Sequence, residues 1–346
     1  MERFLYIVMA LFCAISLHGQ ENAAHRPDTS NVTNDMKHRE TYVESKFDSL
    51  KISVLEMVPE GEPRAVVYMV HGLCGCKERF LPFMEYLTSN GIACVASDHR
   101  GHGSSIRYEE DRGFMYNGGV QAMVMDMDAV VDNIKERYDG IPFVMLGHSM
   151  GSLAARAYMK GHDERLDALV ICGSPAPNPL APLGRLGISI MGGGRRRLSD
   201  ASVGRKRLGS LQNLTSRRYN RRFRHEGYQA WTCSDPQVRQ AFAEDPRCNF
   251  TLTADCAATL MELFQDAYSK KGWNVAKPQM PVIFLSGEDD PCMISSSRFL
   301  KSVDRMSQNG YTDVRKRTYP GMRHEILNEI GKESVWEDIR NHIESL

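Results

Sequence analysis

The sequence predicts an α/β protein with a mostly parallel, doubly wound sheet and an inserted, largely helical cap. Three observations predict this fold. Short apolar runs alternate with segments of helical spacing, as in parallel α/β sheets. One of these runs leads into a G-x-S-x-G turn. The alternation stops in a proline- and arginine-rich segment. We therefore expect a core over residues 46–174 and 278–346, with the cap (or lid) at 175–277.

Residues 1–19 are predicted to be an export signal. Arg3 precedes an apolar run over residues 4–17, which is typical of a signal peptide and short for a membrane span. Leu17 matches the small residue expected before a cleavage site poorly, so an uncleaved anchor is the alternative. Residues 20–45 are polar without periodicity and are predicted to be a linker with little fixed structure. We expect an exported protein, periplasmic or secreted.

The core elements follow from apolar periodicity along the chain. Strands are predicted at residues 51–58, 65–70, 92–96, 143–146, 169–172, 282–286 and 314–319. Helices are predicted at 80–90, 118–138, 295–308 and 324–343, and a further helix follows the G-x-S-x-G turn. The first strand alternates and is predicted to be an edge strand. The continuous apolar runs are typical of parallel strands buried on both faces.

The G-x-S-x-G turn, Gly147 to Gly151, predicts a nucleophile elbow. An apolar strand precedes it and a helix-like segment follows it, which is the context that such an elbow needs. Glycine at both ends removes side chains that would collide with the strand or the helix. Ser149 would then stand at the carboxyl edge of the sheet, where functional groups gather in open α/β folds.

A serine nucleophile needs an imidazole to accept its proton and a carboxylate to orient that imidazole. In this type of fold the order along the chain is serine, acid, histidine. His324 follows the last predicted strand and is the candidate base. The loop after the preceding strand offers Glu288, Asp289 and Asp290. The pattern favours Asp290, directly before a proline, with Asp289 as the alternative.

Attack on an ester carbonyl creates an oxyanion, which backbone N–H groups stabilise. The template places one donor on the residue after the nucleophile, Met150, and one on the loop after an early strand, Leu73. The sequence contains neither a metal-ligand cluster nor a phosphate-binding loop, so we expect no cofactor and no metal.

The charge distribution is uneven although the formal net charge is zero. The neutral balance argues against nucleic acid as a partner. Between residues 195 and 224 the cap carries eleven arginines and lysines against the single acid Asp200. Such a run has two interpretations: a solvated lid surface, or attraction to an anionic membrane surface.

The cysteines do not resemble a disulfide framework, because a chain of this length builds a core without such cross-links. Cys94 and Cys172 lie in strand-like apolar runs and are expected to be buried thiols. In the cap, the sequence allows one disulfide bond between two of Cys233, Cys248 and Cys256 after export.

Five motifs in order resemble the monoacylglycerol lipase and lysophospholipase-like serine hydrolases, an α/β-hydrolase branch also described as serine aminopeptidase-like. They are HG at 71–72, DHRGHGSS at 98–105, GHSMGS at 147–152, GEDDP at 287–291 and YPGMRHEILNE at 319–329. The resemblance covers residues 47–346. It implies an α/β-hydrolase fold. For the site it implies Ser149 as nucleophile, Asp290 as acid, His324 as base, and Leu73 and Met150 as oxyanion donors.

These observations predict a serine hydrolase of carboxylic esters. Monoacylglycerols or lysophospholipids are the expected lipid substrates. An acyltransferase or a peptidase with the same triad is the alternative within enzymes, and a non-catalytic lipid-binding relative is the alternative in another class. The loop after the HG motif, CGCKERF at residues 74–80, departs from many relatives, as does the density of arginine in the cap.

Overall fold

The computed structural model describes residues 38–179, 181–191 and 205–346. The predicted leader at 1–19 lies outside these residues, as does most of the predicted linker. The linker's end at residue 45 is wrong, because strand β1 (His38–Glu44) pairs along its whole length with the next strand. All its residues are at least partly exposed, so backbone hydrogen bonds hold this strand and no apolar period marks it.

One eight-stranded sheet forms the centre of the core. After β1 its strands are β2 (Lys51–Met57), β3 (Ala65–Val70), β4 (Ile92–Ser97), β5 (Phe143–His148), β6 (Ala168–Cys172), β7 (Val282–Gly287) and β8 (Val314–Tyr319). Their spatial order is β1-β2-β4-β3-β5-β6-β7-β8. Only the pairings of β2 with β1 and with β4 are antiparallel. The mostly parallel sheet is confirmed, but β2 is not the predicted edge strand, since β1 covers its outer side.

Nine α-helices of four or more residues lie in the described part of the chain. They are α1 (Leu81–Ser89), α2 (Gly119–Arg137), α3 (Met150–His162), α4 (Ala181–Met191), α5 (Arg205–Tyr219), α6 (Pro236–Glu244), α7 (Ala254–Tyr268), α8 (Ser296–Gln308) and α9 (Glu333–Glu344). The closing helix begins at Glu333 and not at residue 324 as predicted. Turns replace its first part because the Glu329 carboxylate accepts the backbone N–H groups of Arg323 and Ser234, each at 2.9 Å. Among the described residues, none of the helices is both long and apolar enough to cross a membrane.

Buried side chains cover both faces of the sheet, as a doubly wound fold requires. On β3, Val66, Tyr68 and Val70 join one buried cluster with residues of α2, α3 and α7. Val67 and Met69 point to the opposite face and join a cluster with α1 and α9. Two hydrophobic layers therefore hold the strand ends at fixed positions. Side chains in the loops at the carboxyl edge of the sheet start from these fixed ends.

The segment predicted as the cap, residues 175–277, contains α4 to α7. Its last helix, α7, packs on α2 and α3 of the core and also on α4 of the cap, because residues of all four helices share one buried cluster. A parallel connection from β6 to β7 needs a crossover helix on the sheet, and α7 supplies it. The bounds of the cap along the chain stay a prediction.

Candidate active site

Ser149 occupies a strained turn between β5 and α3. Its backbone angles are φ 54° and ψ −119°, a conformation that residues with a side chain rarely adopt. The two flanking glycines are required by space. A Cβ on Gly147 would lie 2.5 Å from the carbonyl oxygen of Gly151, and a Cβ on Gly151 would lie 2.1 Å from that of Val70. Any larger residue at either position would therefore collide with the backbone, as predicted for this elbow.

A Gly151→Ala substitution is expected to lower the free energy of unfolding by about 3 kcal/mol, because the new methyl group must displace the backbone of β3. Gly161→Ala is the matched control in the same helix. A Cβ there meets nothing within 4 Å, and alanine in a helix should raise the free energy by about 0.5–1 kcal/mol. Urea unfolding followed by circular dichroism measures both, and equal effects would contradict the steric argument.

Three side chains form one hydrogen-bonded chain at the carboxyl edge of the sheet. The Ser149 Oγ lies 2.8 Å from Nε2 of His324, and Nδ1 of His324 lies 3.0 Å from Oδ2 of Asp290. All three residues are buried, at 4–5% exposure. β5, β7 and β8 deliver them from three different loops. The arrangement can accept a proton from the serine and orient the imidazole that takes it.

The structure distinguishes the three acids of the loop after β7. Asp290 contacts His324, and its other carboxylate oxygen accepts the backbone N–H of Cys292 at 2.8 Å. Asp289 forms an ion pair with Arg222 of the cap at 2.5 Å. Glu288 accepts a hydrogen bond from the Thr318 hydroxyl at 3.1 Å. Of the three, Asp290 is the one hydrogen-bonded to the histidine.

The loop after β3 packs directly against the elbow, because β3 and β5 are neighbouring parallel strands. A Cβ on Gly72 would lie 3.0 Å from the Cβ of Ser149, so only glycine allows this approach without displacement. Leu73, the next residue, is buried. Met150 is the first residue of α3, so its N–H has no acceptor within its own helix. Both predicted oxyanion donors thus belong to segments that border Ser149.

A second loop, residues 98–105, holds the loop after β3 in place. The backbone N–H of His99 donates to Nε2 of His71 at 3.1 Å, and Nε2 of His99 donates to the carbonyl of His71 at 3.0 Å. Burial lowers the pKa of His71 well below its ordinary value, which keeps this ring neutral and able to accept. These contacts give the 98–105 loop a structural role beside the site.

Three further residues beside the triad, His148, Glu325 and Arg79, were not among the predicted site residues. Nε2 of His148 donates to the backbone carbonyl of His324 at 3.1 Å. Glu325 forms an ion pair with Arg79 at 2.9 Å and faces His148 at 4.0 Å. Burial alone would raise the pKa of Glu325, but Arg79 and the two histidines lower it below its ordinary value. The pair of charges is thereby kept next to the histidine loop and braces it. Position within the GHSMG and RHE motifs was the sequence signal for His148 and Glu325, and Arg79 lies in neither motif.

The cap closes over the histidine loop. The Trp231 ring lies 5.4 Å from that of His324, measured between centroids. Two backbone carbonyls of the cap bind this loop: that of Thr232 accepts the N–H of Glu325 at 2.8 Å, and that of Ala230 accepts a guanidinium N–H of Arg323 at 2.5 Å. Ser149 itself is buried, at 5% exposure.

Comparison with known proteins places this geometry in a family. Residues 61–331 match the family described as "Serine aminopeptidase, S33". The chain belongs to this family. The predicted relationship is thereby confirmed, together with the α/β-hydrolase fold.

Individual relatives agree with the family assignment. A monoacylglycerol lipase of Mycolicibacterium smegmatis is 26% identical over 302 residues, 83% of this chain and 90% of its own. A monoglyceride lipase of Homo sapiens is 33% identical over 97 residues, which is 28% of this chain and 30% of its own. A solved carboxyl esterase of Bacillus coagulans in complex with glycerol aligns with a TM-score of 0.77 and 25% identity, over 90% of this chain and 99% of its own. The predicted class of enzyme, a carboxylic ester hydrolase, is confirmed.

Proposed function

We propose that this hydrolase cleaves monoacylglycerols or lysophospholipids through an acyl-enzyme on Ser149. The observation that carries the proposal is the hydrogen-bonded chain from Ser149 through His324 to Asp290, with the serine on a strained elbow. The monoacylglycerol lipase of Mycolicibacterium smegmatis, which aligns over most of the chain, supports the substrate class. In both substrates a single acyl chain is esterified to a polar alcohol.

Acylation begins when His324 accepts the proton of the Ser149 hydroxyl at Nε2, while Oγ attacks the ester carbonyl carbon. The negative charge that develops on the carbonyl oxygen is stabilised by the N–H groups of Met150 and Leu73, whose loss one at a time typically costs ~10²–10³ in rate. The Asp290 carboxylate stabilises the imidazolium. His324 then protonates the leaving alcohol oxygen, and the acyl group remains on Ser149.

Water completes the cycle by the same residues. His324 removes a proton from a water molecule, which attacks the acyl carbon and forms a second oxyanion at the same two N–H groups. When this intermediate collapses, His324 returns the proton to the Ser149 oxygen and the fatty acid leaves. An alcohol that replaces water in this step would give acyl transfer, so the ratio of free acid to new ester separates hydrolase from acyltransferase.

A hydrolysis screen with a fluorophosphonate probe tests the proposal. The purified protein is given a long-chain monoacylglycerol, a lysophospholipid, short p-nitrophenyl esters and an aminoacyl p-nitroanilide. We expect the highest kcat/KM on one of the two lipids, with free fatty acid as product and covalent labelling by the probe. Highest activity on the anilide would favour a peptidase, and absence of both labelling and turnover would favour a lipid-binding relative.

We further propose that the cap binds an anionic membrane surface, from which such substrates are taken. Arginines 217, 218, 221, 222 and 224 are all exposed on or beside α5. Leu183 and Leu186 on α4 are 53% and 59% exposed. Cationic side chains add roughly 1 kcal/mol each near an anionic bilayer, and exposed leucines add apolar contact. The arginines at 195–197 lie outside the described residues.

Charge reversal tests this membrane proposal. Arg217→Glu with Arg221→Glu is expected to weaken co-sedimentation with anionic vesicles by about 30-fold or more at low salt, from the loss of two favourable charges. Lys301→Glu with Lys316→Glu is the control, because it changes the net charge equally at exposed positions of the α/β core and outside the cap. It is expected to have little effect on vesicle binding. Binding that is equal for anionic and phosphatidylcholine vesicles would leave the basic cap as a solvated lid surface.

A further inference from the structure

Cys76 and Cys248 meet where the loop after β3 touches the cap. Their Sγ atoms are 3.4 Å apart although the residues are 172 positions apart in the chain. Both side chains are buried, at 0% and 4% exposure, and both are thiols in this structure. A disulfide bond needs an S–S separation of about 2.0 Å, which rotation of two side chains already in contact can provide. The thiol that contacts Cys248 is thus the core residue Cys76.

The backbones beside these cysteines run next to each other. The N–H of Asn249 donates to the carbonyl of Cys74 at 3.0 Å, and Sγ of Cys74 lies 3.3 Å from the carbonyl of Phe250. These contacts hold the loop after β3 and the cap segment around Cys248 side by side, next to the two thiols.

We propose that Cys76 and Cys248 form a disulfide bond that ties the loop carrying Leu73 to the cap. The leader predicted at residues 1–19 would take the chain to an oxidising compartment, where disulfides form and persist. Such a bond closes a long loop of the chain and holds the oxyanion-donor loop against the cap. It is a structural cross-link of the site and takes no part in ester hydrolysis.

A metal ion bound by the same two cysteines is the alternative to a disulfide, and the neighbouring charges disfavour it. Asp245 completes a group of three ligand atoms with the two cysteines. Its carboxylate is, however, bound by the guanidinium of Arg247 at 2.9 and 3.0 Å, and Arg247 also pairs with Glu78 at 2.6 Å. A cation would have to displace this guanidinium and would be repelled by its charge. Two thiols beside a carboxylate already in use favour a disulfide.

The oxidation balances with a small-molecule disulfide such as oxidised glutathione. One cysteine thiolate attacks a glutathione sulfur and releases the first reduced glutathione; the second thiolate then breaks the mixed disulfide and releases the other. Two thiols are oxidised, one glutathione disulfide is reduced, and the two thiol protons end on the glutathiones. The neighbouring Cys248 thiol and burial raise the pKa of Cys76 far above its ordinary value, so the folded dithiol reacts slowly. We expect the bond to form during folding.

The full chain, refolded from urea with oxidised and reduced glutathione or with dithiothreitol alone, tests the proposal. After alkylation of thiols under denaturing conditions, peptide mass mapping should show Cys76 joined to Cys248 in the glutathione sample, with a mass about 2 Da below the sum of the free peptides. The Tm should be about 5 °C higher than in dithiothreitol. Cys76→Ser and Cys248→Ser should each remove both differences, whereas Cys94→Ala, a buried thiol of β4, should keep them.

Wild-type mapping decides the question even where a variant fails to fold. Alkylation of both Cys76 and Cys248 after oxidative refolding would overturn the proposal, as would a linkage of either one to another cysteine. Alkylation of both thiols together with one zinc ion bound per native chain would overturn it in favour of a metal site. The mapping does not use ester hydrolysis, so its outcome is independent of the proposed function.

Discussion

Replacing Ser149 with alanine is expected to lower kcat for ester hydrolysis about 10⁶-fold, as loss of the nucleophile does in other Ser-His-Asp hydrolases. The residual rate would come from the oxyanion donors and from substrate binding, neither of which needs the hydroxyl. Alanine also removes the 2.8 Å hydrogen bond to His324, so the imidazole loses its reaction partner and not its orientation by Asp290. Release of fatty acid from a long-chain monoacylglycerol, with fluorophosphonate labelling in parallel, measures the effect.

The control for this experiment is Ser307→Ala on α8, where the serine is exposed. It should keep full activity and full labelling. Circular dichroism should show the same spectrum for both variants, because alanine adds no atoms at the crowded elbow. Labelling of Ser149→Ala at the wild-type level would mean that another residue carries the nucleophile, and the proposed mechanism would then be wrong.

The core sheet could be predicted because its parallel strands are buried on both faces and appear as continuous apolar runs. Every residue of β3, β4 and β5 is buried. β1 lacks this signal, since its residues are exposed or only partly buried and its stability comes from backbone pairing with β2. The packing partners of α7 were harder to predict for a related reason. Helical periodicity shows that one face of α7 is buried, but not that α2 and α3 bury it.

The candidate triad could be found from the sequence because each member follows a strand in the order that this fold uses. The strand ends meet at one edge of the sheet, so local pattern and topology together predict proximity. The brace of His148, Glu325 and Arg79 could not be found in this way. Its contact between Arg79 and Glu325 joins residues 246 positions apart. No local pattern specifies which charges meet across such a distance.

The same limit applies to Cys76 and Cys248, whose sequence contexts give no indication that they belong together. The sequence alone indicates a disulfide only among the three cap cysteines, because no pattern in it shows that a cap residue contacts the core. The structure brings the loop after β3 under the cap, and the pair follows from that packing. Sequence patterns predict the regular strands and helices of the core, whereas the contacts between cap and core are known only from the structure.

An Asp290→Asn substitution is expected to lower kcat about 10⁴-fold with little change in stability. The amide is nearly isosteric and can still accept the N–H of Cys292 through its oxygen. Its NH₂ group, turned toward His324, would donate to Nδ1 and stabilise the tautomer that carries the proton on Nε2. That nitrogen could no longer accept the proton of Ser149. The loss should therefore appear in kcat, while KM for the lipid changes little.

Asp289→Asn is the matched control, because it makes the same chemical change one residue away. Asp289 pairs with Arg222 at 2.5 Å, and that arginine is largely exposed, so its loss should cost no more than about 1 kcal/mol of stability and less than about twofold in kcat. The two aspartates thus separate a carboxylate that orients the base from one that helps to hold the cap. If Asp289→Asn abolished turnover while Asp290→Asn kept it, the acid would have been assigned to the wrong residue, and the hydrogen bond from His324 to Asp290 would not be the one used in catalysis.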